Sequence, residues 1–105
     1  MSRQVNPSKP ASNIGQGLRL VRRSKGVSQG AFELVTSRVY VSAVERGLKQ
    51  PTLPKVDQFA EVIGVHPLTV LAFAYLKRLD FEELQRLLEQ VKLEALDLCS
   101  STKVR

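Results

Sequence analysis

Three glycines, Gly26, Gly47 and Gly64, each stand where a run of periodic apolar residues gives out. Glycine commonly follows a helix C-terminus, because it enters the left-handed backbone region without a Cβ penalty. Read backwards from these stops, the chain resolves into short helices. In IGQGLRLVRRSKG, Ile14, Leu18 and Val21 recur at i, i+4 and i+7, leaving Arg19, Arg22, Arg23 and Lys25 for the other faces and the end. LPKVDQFAEVI carries Val56, Phe59, Ala60 and Ile63 as its inner stripe. Thr52 is placed to cap it, and Pro54 is tolerable because first-turn N–H groups lack intrahelical partners. Ser28 stands at a cap position before QGAFELV, read as a short helix with Ala31, Phe32 and Val35 as candidate inward residues and Gly30 as a local penalty. Pro67 opens HPLTVLAFAYLKRL, apolar enough that burial of most of it, as the central core helix, is expected. Asp80 and Glu83 then form a D-x-x-E cap for FEELQRLLEQVKLEALDLC. The class implied is all-α with short turns.

The stretch before Gly47, TSRVYVSAVERG, resists this reading. Val39, Tyr40, Val41 and Val44 prefer a pleated strand, because branching or ring bulk restricts χ1 in a helix. Strand alternation, however, segregates nothing cleanly. At 100° per residue, Val41, Val44 and Leu48 share one side while Val39, Ser42, Ala43 and Arg46 lie across from them. Period 3.6 fits slightly better than period 2, and a lone strand among helices would have no partner.

Charge is distributed unevenly. Residues 1–50 hold nine Lys or Arg against two Glu, net +7, whereas residues 51–105 hold seven against eight, net −1. A basic cluster of this kind attracts a polyanion, and with no lipid-binding amphipathic pattern beside it, nucleic acid outranks a membrane surface. The plainer alternative is a solubilising face. No apolar run approaches the ~20 residues of a membrane span, and MSRQVNPSKPASN lacks an apolar signal region, so a cytoplasmic, nucleoid-associated address is expected. Cys99 and His66, the single cysteine and histidine, furnish neither a disulfide nor a closed metal site. His66 reads as the residue that opens the Pro67 helix. No catalytic constellation and no cofactor site are expected: GQG at 15–17 opens a helix without a preceding strand.

Taken in order, LRLVRRSKGVSQ, SRVYVSAVERG and PTLPKVDQFAEVIGVHPLTVL resemble the phage-repressor and Cro type of helix-turn-helix protein, the xenobiotic-response-element family, over about three fifths of the chain. The resemblance implies a five-helix DNA-binding domain over residues 14–78; residues 1–13, polar, proline-containing and without periodicity, read as a flexible N-terminal tail. Residues 28–35 then look like the positioning helix and 37–46 like the recognition helix that enters the major groove. Arg38 is the first candidate for reading sequence, because its planar fork matches guanine O6 and N7. Val39 and Ala43 offer apolar contact to thymine methyls, while Tyr40 and Ser42 suit phosphate or a base edge; for Tyr40, packing on a neighbouring helix is the alternative. Gln29 and Ser37 look like phosphate contacts at helix N-termini, with Arg46 and Lys49 gripping the other side of the groove. Arg22 and Glu45 match a pair that joins the first helix to the recognition helix, so a partly buried salt bridge is expected. Two departures stand out: two fewer residues separate Ser28-Gln29 from Ser37-Arg38 than in most members, and the usual turn glycine is missing. A tighter or differently built turn follows.

Residues 79–100 read as an amphipathic helix before a flexible end, 101–105. Phe81, Leu84, Leu88, Val91, Ala95 and Leu98 follow the 3, 4, 3, 4, 3 spacing of a heptad seam. Leu87, Leu93 and Leu96 widen it beyond one seam, so contact with both its own domain and a second copy is expected, packing on its own core alone being the alternative. The function implied is a sequence-specific double-stranded-DNA-binding regulator, a repressor acting as a homodimer on a palindromic operator. A second class is an antitoxin or other interaction protein whose apolar tail covers a partner protein; charge-driven RNA or non-specific DNA binding is weaker, since aromatic platforms are lacking.

Overall fold

The computed structural model describes residues 13–102. The expected flexible ends lie outside the described residues, except at three positions. Asn13 caps the first helix rather than ending a tail, and Ser101 and Thr102 belong to the last helix. In chain order the elements are α1 (Ile14–Ser24), a 3-10 turn (Gln29–Phe32), α2 (Arg38–Glu45), α3 (Leu53–Ile63), α4 (Pro67–Ala74) and α5 (Phe81–Thr102). Among the described residues there is no strand, as the all-α reading requires.

The stops and starts act where local chemistry places them. Gly26, Gly47 and Gly64 have φ of 71°, 81° and 91°, the left-handed conformation that ends a helix. At the other ends, Asn13 accepts the Gln16 N–H, Ser37 that of Tyr40, Thr52 that of Lys55, and His66, through Nδ1, that of Leu68.

TSRVYVSAVERG folds as a helix. Val41 and Val44 are fully buried, whereas Val39 is 76% exposed. Burial of two β-branched residues against the core outweighs their modest propensity penalty. Leu48 departs from the expected inner side: beyond Gly47 the chain has left the helix, and Leu48 is exposed.

Leu18 and Val21 of α1, Phe32, the two valines of α2, Val56, Phe59, Ala60 and Ile63 of α3, and Val70 of α4 make one core. Phe32 meets Phe59 edge to face, 5.4 Å between centroids. Helix α1 is a wedge whose glycines allow backbone contact on two sides. A Cβ at Gly15 would collide with the Val44 carbonyl oxygen, and one at Gly17 would meet the Ala74 nitrogen and the Val70 carbonyl oxygen at 2.7 Å. The N-terminus of α1 is also tied to the end of α4, with Asn13 N–H donating to the Ala74 carbonyl at 2.6 Å and Gln16 Nε2 to that of Leu76 at 2.7 Å.

Two expected helices come out differently. The positioning helix is a single 3-10 turn, and Ala31 on it is exposed while Phe32 alone is fully inward. A 3-10 turn rises about 2.0 Å per residue against 1.5 Å in an α-helix, so fewer residues cover the same distance. The missing two residues are thus absorbed by the element itself. The apolar segment after Pro67 is helical only to Ala74, because Asn13 and Gln16 capture carbonyls at its end and turn the chain away. Most of it is not buried: Leu68, Tyr75 and Leu79 lie 65%, 58% and 57% exposed. Helix α5 leaves the body after touching α4, and its apolar residues remain largely in solvent.

Candidate nucleic-acid interface

Helix α2 has one face inside and one outside. Val41, Val44 and Glu45 are buried; Arg38, Val39 and Arg46 are exposed, and Ser42 and Ala43 are half-buried between them. Positions 39, 42, 43 and 46 follow helical spacing, so they form one continuous stripe. At its N-terminus the Ser37 hydroxyl accepts the Tyr40 N–H at 3.0 Å, while the earlier first-turn N–H groups have no intrahelical partner. At its far end Arg46 Nε donates to the Ser42 hydroxyl at 3.3 Å, which lays the guanidinium along the stripe. Lys49 is exposed just past Gly47.

The electrostatics of this face follow from where its acid went. Glu45 is the only carboxylate on α2, and it is held inside. Its carboxylate accepts Arg22 Nε at 2.6 Å and Nη2 at 2.9 Å, a bidentate pair. Arg22 Nη1 donates to the Val27 carbonyl at 2.8 Å, so one guanidinium joins α1, the following loop and α2. What α2 presents outward is therefore neutral or positive.

Two candidate residues sit differently from a free contact. Gln29 Nε2 donates to Glu45 Oε1 at 3.0 Å, making Gln29 the third member of the buried network. The element it begins is one 3-10 turn, so the helix-dipole argument for Gln29 carries little weight. Tyr40 is half-buried. Its ring lies 6.4 Å from that of Phe59 and 5.8 Å beneath Lys55 Nζ, and the same ammonium donates to the Val35 carbonyl at 3.3 Å. The contacts seen for its ring are those of packing, the alternative that the sequence leaves open.

Sequence reasoning missed two features that hold this face in place. One is the pair Gly15 and Gly17; a glycine in a helix interior costs about 1 kcal/mol relative to alanine, and two of them were the available signal of close backbone approach. The other is the Gln29 link to Glu45, for which the sequence carries no signal.

The arrangement has the form of two short helical segments joined by a turn, the second exposing a basic stripe and braced from behind by a buried ion pair. The sequence model of the helix-turn-helix family matches residues 18–70, just over half the chain and spanning all of these elements. The chain belongs to that family. It is a DNA-binding helix-turn-helix transcription regulator of the xenobiotic-response-element type. The control protein C.BamHI of Bacillus amyloliquefaciens is 37% identical over 57% of this chain and 78% of its own length. Among solved structures, the restriction-modification controller protein C.AhdI of Aeromonas hydrophila superposes with a TM-score of 0.52 at 31% identity, covering 57% of this chain and 94% of that one. The hypothetical transcription factor NHTF from Neisseria gives 0.56 at 26% identity, covering 83% and 94%.

Proposed function

We propose that this helix-turn-helix protein is a repressor that reads a palindromic operator as a homodimer, with residues 37–46 in the major groove. The observation that carries the reading is the exposed stripe of α2 with its only carboxylate turned inward. A helix presented in this way fits a groove about 12 Å wide. Arg38 reads guanine, Val39 and Ala43 press on thymine methyls, and Ser42 and Tyr40 contact the groove edge. Ser37, Arg46 and Lys49 hold phosphate and set register. Gln29 acts chiefly by orienting Glu45, with its remaining amide proton available to a phosphate.

The homodimer is proposed to form through α5, along Phe81, Leu84, Leu88, Val91, Ala95 and Leu98. One such domain reads only a few base pairs, and a two-fold dimer reads two half-sites about one turn apart. Two of the similar proteins carry the word control or controller in their names, which supports gene control as the role of this chain and the nucleoid as its place. Selection of bound duplexes from a random pool at about 150 mM salt tests this, because purely ionic binding is suppressed there. Recovery of an inverted repeat whose guanines lose importance in Arg38→Ala is the expected result. Absence of any motif would refute sequence reading, and would turn attention to a protein partner on α5.

A further inference from the structure

Helix α5 carries more apolar surface than one seam uses, and the surplus lies on another side. At 100° per residue, the seam residues cluster within about 50° of one direction, whereas Leu93 lies about 170° and Leu96 about 110° away from it. Both leucines are 56% exposed, and in the same chain Leu68 of α4 and, past its end, Tyr75 and Leu79 are also uncovered. Beside it lies an open apolar groove of about 200 Å³, lined by Val21, Val65, Thr69, Phe73 and Leu79 among others. Leaving Leu98 aside, these side chains of α4 and α5 expose on the order of 900 Å² per copy, comparable to the roughly 800 Å² per partner of a standard stable interface.

We propose that two copies pair their α5 helices antiparallel, each laying its C-terminal half toward the other's α4. This rests on the homodimer reading above and adds its direction. The seam itself distinguishes the two directions. In a parallel pair like meets like: Phe81 faces the partner's Phe81, an overfull layer, and Ala95 faces the partner's Ala95, an empty one. In an antiparallel pair centred between residues 89 and 90, Phe81 faces the partner's Leu98, Leu84 the partner's Ala95, and Leu88 the partner's Val91. Every layer then combines two complementary heptad positions, and the smallest seam residue meets a leucine.

The remaining surface agrees. Antiparallel pairing brings Leu93 and Leu96 level with the end of the partner's α5 that adjoins its α4, where Leu96, on the flank of the seam, meets the partner's uncovered apolar surface. A parallel coil points them into solvent, away from either body. The reach also suits a pair of half-sites. Helix α5 has 22 residues, about 33 Å of helix, so the two bodies stand at opposite ends of a rod near the 34–36 Å that separates half-sites.

Cys99 is the only cysteine in the chain and is exposed, so a nitroxide label can be placed there without substitution. In the full-length protein, with sedimentation run alongside, pulsed electron resonance is expected to give a distance of roughly 30 Å, because Cys99 lies opposite the partner's Asp80. A distance of roughly 10 Å, that of side-by-side helices in a parallel coil, overturns the proposal. A dimer in sedimentation without a distance near 30 Å overturns it equally. A monomer at high micromolar concentration instead removes the homodimer reading itself.

Discussion

Arg22 and Glu45 lie 23 residues apart in sequence and form a bidentate ion pair in the core, with side chains only 9% and 3% accessible. Both oxygens of Glu45 are engaged, and Gln29 shares one of them. Removing either partner strands the other charge away from water. Arg22→Ala and Glu45→Ala are therefore each expected to cost about 3 to 5 kcal/mol. The double change Arg22→Met with Glu45→Leu should cost less than either, since no charge is left uncompensated. Thermal melts of the three variants check this, and an Arg22→Ala melt matching the wild type would sink it.

Glycine substitutions should separate by position. At Gly17 an added methyl meets backbone of α4 at 2.7 Å, and at Gly15 it collides with the Val44 carbonyl oxygen. Neither backbone can yield as a flexible side chain would, so each change to alanine is expected to destabilise by at least 1–3 kcal/mol. Gly15→Ala should also weaken DNA binding, because it pushes α2 outward. Gly30→Ala has the opposite sign: its nearest neighbours would be 3.8 Å away and its φ is not positive. A gain of about 0.4–1 kcal/mol is expected from the less flexible unfolded chain. Denaturant titration of the three variants decides.

Base-reading and phosphate-holding residues should leave different signatures. Arg38→Ala is expected to lose about 1–3 kcal/mol and to relax preference at one base pair, whereas Lys49→Ala should weaken all sequences alike and lower the salt slope by about one. Binding isotherms at three salt concentrations distinguish these. A uniform loss in Arg38→Ala would move Arg38 from base edge to backbone.

The start of α5 should respond to acid. The Glu83 backbone N–H, with that of Glu82 and the nearby Arg78 and Arg86, holds the Asp80 carboxyl below its ordinary value of 3.8. A depressed folded value means that the cap's contribution is present in full above about pH 3.8 and is lost as pH falls through the folded value. Asp80→Asn keeps an acceptor but loses the titration. Amide exchange at Glu83 is expected to quicken in the wild type below pH 3.8 relative to this variant. Equal acid responses would show that the carboxylate charge is irrelevant to the cap.

The local punctuation was legible in the chain. Cap residues at Thr52, His66 and Asp80 and stops at Gly26, Gly47 and Gly64 act through hydrogen bonds and dihedral preferences within a few residues, and those are properties of short sequence; Ser28, also read as a cap, makes no side-chain cap bond because it precedes a single 3-10 turn. The inner stripes of α1 and α3 were legible for the same reason, and the family resemblance marked α2 as the element proposed to meet DNA. Pattern alone scarcely separated strand from helix over TSRVYVSAVERG, because its valines satisfy either period; burial of Val41 and Val44 against Phe59 and its neighbours decided for helix. The short 3-10 turn followed from a count of residues only once its two ends were placed in space. Helix α4 ended early because groups distant in the chain, at Asn13 and Gln16, took its carbonyls. Sequence by itself determined where α1 and α3 begin, end and turn inward. Only the tertiary structure decided how closely α1 approaches its neighbours, that Gln29 joins the buried Arg22–Glu45 pair, and that α4 and α5 keep apolar faces uncovered, because each of these depends on backbone separations that no local pattern encodes.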